Sequence, residues 1–166
     1  MACHHAMSDI RWSPKTGTSP GRIRLNDANL LMLRHIVRRA LPADQAQAFE
    51  ARAMELNRAI AGDGGDAEAA ARALRAAIDE VIRPLQFRRF AAADLRAILD
   101  GLVADGLDGR YRDYAAAEQA TMAIASLLDW LGKQGAVKDV RATNRALDAL
   151  YDTVKNDEKY RPERYR

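Results

Sequence analysis

The sequence predicts an all-α protein: a single antiparallel bundle of about six helices with an irregular N-terminal arm and a short polar C-terminal tail. Apolar residues recur at helical spacing from about Asp27 to Val154, and no alternating run of strand length interrupts them. Alanine is abundant and aromatic residues make up only 6% of the chain, which is typical of closely packed helices. A length of 166 residues is enough for one domain with a substantial core.

The same pattern divides the chain into three parts. Residues 1–25 form an irregular basic arm, because Ser13-Pro14 and Ser19-Pro20-Gly21 break any helical period that starts there. Residues 26–155 form the helical bundle domain. Residues 156–166 form a charged C-terminal tail.

The first helix is predicted to begin at Asn26 or Asp27, both good N-caps, and to end at about Leu41. At 100° per residue, its leucines, isoleucine and valine fall on one side, except for Leu31, which is expected to be exposed. The opposite side carries Arg34, His35, Arg38 and Arg39. We therefore expect an exposed basic face, with His35 directed to solvent or to a partner.

The second and third helices are predicted from their caps and apolar stripes. Pro42 suits the first turn of a helix, because its missing N–H would be unsatisfied there. Residues 62–65 form a glycine-rich turn, and Asp66 is a favourable N-cap for the third helix. Pro84 predicts a kink or an end around Arg83. The stripes are Phe49, Ala53, Leu56 and Ile60 in the second helix and Leu74, Ile78, Val81 and Leu85 in the third.

Three more helices follow, over residues 91–105, 110–133 and 138–155. The first of them is expected to end at Gly106, a natural residue for a helix C-terminus. The fifth helix is apolar on more than one side, because Met122 and Trp130 lie away from its main stripe. Such a helix either lies centrally in the bundle or faces a second subunit.

Charge and apolar content indicate the surroundings of the protein. The net charge is +3, but residues 1–40 contain seven basic side chains and two acidic ones, which favours an acidic partner. No apolar run of about 18 residues is present, and the start lacks the layout of a secretory signal. Cys3 has no second cysteine to pair with. We expect a cytoplasmic protein that does not bind membranes.

The histidine patterns of most helical metalloenzymes are missing. The histidines are His4, His5 and His35, so neither paired Glu-x-x-His motifs nor His-Glu-x-x-His can occur. Carboxylate pairs, among them Asp105 with Asp108, are expected to be solvated. Glu118 is expected at the boundary of the fifth helix stripe. We predict no catalytic residue and no cofactor.

A weak metal site is conceivable at the N-terminus. If Met1 is removed, the chain begins Ala2-Cys3-His4, and a third-position histidine with a free amine offers a square-planar donor set for copper or nickel. Such a terminus also arises by chance, and adventitious binding through Cys3 and His4 is the interpretation we favour.

These observations favour a non-enzymatic protein-interaction or assembly and regulatory subunit that binds a protein partner or forms an oligomer. The expected partner-binding residues are Arg34, His35, Arg38, Arg39, Met122 and Trp130. One alternative is a nucleic-acid-associated protein that uses the basic helix face, although no helix-turn-helix signal or zinc finger is present. A second alternative is a bundle that encloses a small ligand.

Overall fold

A computed structural model describes residues 25–62 and 65–165 of the chain. Over these residues it contains helices and no strand, which confirms the all-helical bundle; the antiparallel order of the helices stays a prediction. No helix of this part has the length and apolarity needed to cross a membrane. The helices are α1 (Ala28–Ala40), α2 (Ala43–Ile60), α3 (Ala67–Leu85), α4 (Ala92–Leu107), α5 (Tyr114–Lys133) and α6 (Val140–Thr153), followed by the 3-10 turns Asp157–Lys159 and Pro162–Arg164.

Helix α1 joins the different parts of the core. It contacts α2, α4 and α5, and its apolar residues belong to three separate clusters. Leu33 packs on the cluster between α2 and α3, Ile36 on the cluster formed by α4, α5 and α6, and Leu31 on the cluster that includes the C-terminal segment. Because α1 is surrounded in this way, more than one of its faces is covered.

The apolar stripes of α2 and α3 pack against each other, as their spacing predicts. Phe49, Leu56, Leu74 and Val81 are buried, and the other stripe residues are partly buried in the same cluster. Burying a leucine, valine or phenylalanine side chain contributes about 1.5–3 kcal/mol each relative to leaving it in water.

Side-chain caps set where three of the helices begin. Asp66 accepts hydrogen bonds from the backbone N–H groups of Glu68 and Ala69, so the predicted cap of α3 is confirmed. Asp113 and Asp139 cap α5 and α6 in the same way. Both helices therefore begin a few residues later than the apolar pattern alone indicates.

Helices α3 and α4 both extend further along the chain than the sequence predicts. Helix α3 continues through Pro84 to Leu85. Helix α4 does not end at Gly106 but at Leu107, and Gly109, at a φ of 67°, makes the turn. Gly106 lies beneath two aromatic rings: a β-carbon there would be in ordinary van der Waals contact, 3.6 Å from the Tyr111 ring and 3.7 Å from the Tyr165 ring.

The C-terminal segment folds back onto the bundle. Its charged side chains from residue 157 to residue 164 are exposed, but Tyr160 and Tyr165 are only 3% and 2% exposed. The Tyr160 hydroxyl donates to the carbonyl of Tyr111 at 2.5 Å. Thr121 Oγ1 donates to the Ala117 carbonyl and therefore accepts the 2.8 Å hydrogen bond from the Tyr165 hydroxyl. The two tyrosines are core residues within a segment that its composition marks as polar.

Candidate functional site: an apolar groove beside a buried ion-pair cluster

An apolar groove lies between α4 and α6, with α5 as its floor. Its volume is about 680 Å³. The floor and walls are aliphatic: Leu99, Leu102, Val103 and Leu107 come from α4, Ile124 and Leu128 from α5, and Leu147 and Leu150 from α6. The groove therefore offers a surface to which an apolar group can bind.

The α4 wall of the groove is open to water. Val103 is 44% exposed and Leu107 is 61% exposed. Leu99, Val103 and Leu107 follow one another at intervals of one helical turn, so the wall is about 12 Å long at a rise of 1.5 Å per residue. Val103 and Leu107 are therefore hydrated in the isolated chain, whereas Leu99, at 4% exposure, is buried at the base of the wall.

Polar groups mark the two ends of the groove. At one end Arg96 donates to the carbonyl of Ala136, just before α6, at 2.7 Å. At the other end the Tyr165 ring closes over Gly106. The hydroxyl of Thr143, which also lines the groove, donates to the Asp139 carbonyl. The hydroxyls of Thr143 and Tyr165 are thus engaged within the protein. Asp100, which lies between Leu99 and Val103 on α4, adds an exposed carboxylate to the otherwise aliphatic wall.

A buried ion-pair cluster lies on the side of α4 that faces α1. Asp105 accepts hydrogen bonds at the same oxygen, Oδ2, from Arg34 Nη2 and from His35 Nε2, the latter at 2.6 Å. Arg110 Nε lies 3.4 Å from Oδ1 of the same carboxylate. The side chains of Arg34 and Asp105 are 11% and 8% exposed. One carboxylate therefore links α1, α4 and the loop after α4.

The cluster depends on a glycine for space. A β-carbon at Gly101, one turn before Asp105, would lie 2.9 Å from Cε1 of His35 and closer still to Nδ1. The imidazole thus lies directly on the backbone of α4. A larger residue at position 101 would displace the ring that bonds to Asp105.

The charge of Asp105 is stabilised by its neighbours. Burial alone would raise its pKa, but the hydrogen bonds from His35 and Arg34 and the positive charge of the guanidinium outweigh it, so the pKa lies below its usual value. Burial, together with the nearby Asp105 charge, raises the pKa of the Tyr111 hydroxyl. Asp105 is therefore an anion at neutral pH, matched to the Arg34 guanidinium.

The closed geometry of this cluster favours a structural role. Arg34 Nε is buried and has no hydrogen-bond partner within the described residues. No group of three histidine, cysteine, aspartate or glutamate side chains suited to a metal ion occurs in that part of the chain. A histidine–carboxylate pair needs a cleft where substrate meets it, and here both partners are covered by α1 and α4.

The predicted exposed basic face of α1 is wrong for two of its four residues. Arg34 and His35 are covered because α1 packs against α4 on that side. The expectation that Asp105 is solvated is wrong for the same reason. Arg38 and Arg39 are about half exposed, at 49% and 48% of their side chains. Each is paired, Arg38 through two hydrogen bonds with Glu50 and Arg39 at 2.5 Å with Asp94.

The two candidate residues on α5 are accessible. Met122 is 52% exposed and Trp130 is 37% exposed, so their part in partner binding stays a prediction. Glu118 accepts a 2.7 Å hydrogen bond from the Tyr114 hydroxyl and is partly buried, as expected for a boundary residue. This bond, more than burial, raises the pKa of Tyr114 to about 12.

The possible N-terminal metal ligands Cys3 and His4 lie outside the described residues, as does the basic arm up to residue 24. The copper or nickel site therefore stays a prediction.

Comparison with family models, with curated proteins and with solved structures gives no match for this chain. Its function is therefore inferred from the groove, the cluster and the surface alone.

Proposed function

We propose that the protein is a non-enzymatic interaction protein whose α4–α6 groove binds an amphipathic helix of a protein partner. The observation that carries this proposal is the hydrated aliphatic wall of the groove, with Val103 and Leu107 at 44% and 61% exposure. An amphipathic helix that lays its apolar face into such a groove is a recurring mode of protein recognition. Transfer of these side chains out of water supplies the driving force.

The dimensions of the groove suit a short helix. The α4 wall is about 12 Å long, which equals eight residues of a partner helix. Leu147 and Leu150 on α6 are half buried and lie three residues apart, so both walls present ridges at helical spacing. Ridges of this kind accept the side chains of a third helix between them. We infer a partner segment with two or three large aliphatic residues on one face.

A small apolar ligand is the second candidate, and the volume of the groove favours it. About 680 Å³ lies within the range of about 300–1,000 Å³ that is usual for small-molecule sites. Arg96 and Asp100 line the groove and offer polar groups to orient such a ligand. The open α4 wall favours the helix, because small ligands are usually enclosed over most of their surface.

The structure of α1 gives less support to nucleic-acid binding by its basic face than the sequence of this helix does. Arg34 is held by the buried Asp105, and Arg38 and Arg39 are paired with Glu50 and Asp94. Each phosphate contact there would compete with a carboxylate in the protein.

We keep the cytoplasm as the expected compartment, since a lone cysteine fits a reducing environment.

The proposal is tested by placing charges in the groove. In Val103→Glu/Leu107→Glu two carboxylates replace exposed aliphatic groups, so the helical fold is expected to persist and is checked by circular dichroism. The matched control is Met54→Glu on α2, at a methionine of similar exposure, 56%. Tagged proteins are purified from native cells, and a partner is expected with the wild type and the control but not with the groove variant.

Three results would replace the proposal. A partner that binds the groove variant as well as the wild type would place the interface elsewhere. A wild-type dimer that dissociates only in the groove variant would identify a second copy as the occupant. A bound mass of a few hundred daltons in native mass spectrometry, lost only from the groove variant, would establish the small-ligand alternative.

A further inference from the structure

Phe87 is the most exposed of the large apolar side chains in the described part of the chain, at 85%. It directly follows the end of α3, at Leu85 and Gln86. Neither face of its ring is covered to any large extent by the protein. An aromatic ring presented in this way is available to stack on another flat group.

The chain around Phe87 is rich in arginine, and the nearest acidic residues in the sequence are Glu80 and Asp94. From residue 81 to residue 93 the sequence contains three arginines and no acidic residue. Arg83 and Arg89 are exposed and make no ion pair or hydrogen bond within residues 25–62 and 65–165. This distinguishes them from Arg38 and Arg39, whose guanidinium groups are paired with carboxylates.

Arg88, the third arginine, holds the loop between α3 and α4, residues 86–91, against α1. Arg88 donates to the carbonyls of Ala40 and Arg39, at the C-terminal end of α1, at 3.2 and 3.3 Å. Its guanidinium carbon also lies 5.7 Å from the centroid of the Phe90 ring. The loop is therefore anchored at Arg88 and Phe90, and Phe87 projects from an ordered support.

We propose that Phe87, Arg83 and Arg89 form a binding surface for single-stranded nucleic acid, separate from the α4–α6 groove. Single strands are bound by aromatic rings that stack on unpaired bases and by cations that contact phosphates. This surface supplies one stacking ring and two guanidinium groups that have no carboxylate partner among the described residues. None of the residues that line the groove belongs to residues 81–93. Either binding proposal can therefore be refuted without affecting the other.

Charge complementarity favours a strand over an anionic membrane. Asp79 and Glu80 are exposed on α3, about one turn before Arg83. A flat anionic bilayer that approached Phe87 would also approach these two carboxylates. A single strand is narrower and can contact residues 81–93 alone, where all charged residues are arginines. Duplexes are disfavoured because their base faces are not available for stacking.

Binding is measured by fluorescence anisotropy with a labelled oligothymidylate at several salt concentrations. Phe87→Ala is expected to weaken binding from about 5-fold to about 150-fold, the loss typical of one stacked base. Arg83→Gln/Arg89→Gln is expected to weaken binding and to reduce the salt dependence by about 0.7 per lost phosphate contact. The matched control Arg141→Gln/Arg145→Gln removes two exposed arginines from α6 and is expected to bind like the wild type.

The proposal fails if the wild type does not bind the oligonucleotide at low salt. It also fails if the loop variants bind as tightly as the control, which would assign any affinity to the basic arm. Wild-type binding to vesicles rich in phosphatidylserine, without binding to the oligonucleotide, would instead make this surface a membrane contact.

Discussion

The imidazole of His35 lies against the backbone of Gly101, so close that a β-carbon at position 101 would be 2.9 Å from His35 Cε1. The same ring bonds to Asp105 one turn later on α4 at 2.6 Å. On one face of α4, Gly101 therefore provides the space for the His35 ring and Asp105 provides its hydrogen-bond partner. This contact determines how closely the two helices approach.

Gly101→Ala is expected to destabilise the protein by about 1–3 kcal/mol, as for overpacking of a close-packed core. Replacing glycine by alanine inside a helix normally stabilises a protein by about 1 kcal/mol. The contact with His35 is expected to reverse the sign of this stability change. The control is Gly132→Ala in α5, where a β-carbon meets nothing within 4 Å, and this change is expected to stabilise. Urea unfolding measures both; equal stabilisation would show that His35 has room to move.

Asp105→Asn is expected to destabilise the fold by about 3–5 kcal/mol at neutral pH, because Arg34 is left buried without a counter-ion. The control is Asp108→Asn, whose side chain is 66% exposed and whose loss is expected to change stability by less than about 0.5 kcal/mol. Chemical denaturation at pH 7 measures the two differences.

The contribution of Asp105 is also expected to depend on pH. Its pKa is lower in the folded state than the unfolded value of about 3.9, so the native state binds fewer protons between these two values. The stabilisation is complete above the unfolded pKa and is lost as the pH falls through the folded pKa. The stability difference between wild type and Asp105→Asn should therefore shrink below about pH 4. A constant difference down to pH 2 would mean that charge is not its source.

Tyr160→Ala and Tyr165→Ala are each expected to cost about 3–5 kcal/mol, the range for removing a buried aromatic ring. Tyr151→Ala is the control, since this tyrosine is 40% exposed, and it should cost less than about 1 kcal/mol. Thermal unfolding followed by circular dichroism measures the three variants. Similar losses for all three would show that the C-terminal segment does not belong to the core.

Alkaline pH is expected to unfold the protein through its tyrosines. Burial raises the pKa of Tyr165 to about 12, above the unfolded value of about 10. The protonated hydroxyl is thus favoured by folding, and this stability is lost as the pH rises from about 10 toward 12. Tyrosinate absorbance should rise together with loss of helical circular dichroism, and Tyr165→Phe should weaken the dependence. Ionisation that is complete while the helices persist would contradict the buried position.

The sequence predicts the helices well because each stripe repeats locally. It does not predict the cluster, because His35 and Asp105 are 70 residues apart and a helical wheel of α1 cannot show that α4 covers the polar side. One signal was present: Gly101 and Asp105 lie in phase with the core residues Ile98 and Leu102. A glycine and an acid at core positions indicate a buried polar partner.

The groove is missed for a related reason. The sequence assigns Val103 to the apolar stripe of the fourth helix, and it places Leu107 beyond the predicted end of that helix. They are exposed because α4 and α6 both pack on α5 and leave space between them. Which apolar face lacks a partner depends on the spatial order of the helices, and local spacing does not determine that order.

Site-specific photo-crosslinking in native cells shows whether a protein partner occupies the α4–α6 groove. A photoreactive amino acid is placed at Val103 in the groove and, as a control, at Met54 on α2. A partner helix bound in the groove should give a protein adduct at position 103 that is absent at position 54 and disappears when Leu107→Glu is added. No adduct at position 103, or equal adducts at both positions, would contradict the proposal that the α4–α6 groove binds a helix of a protein partner.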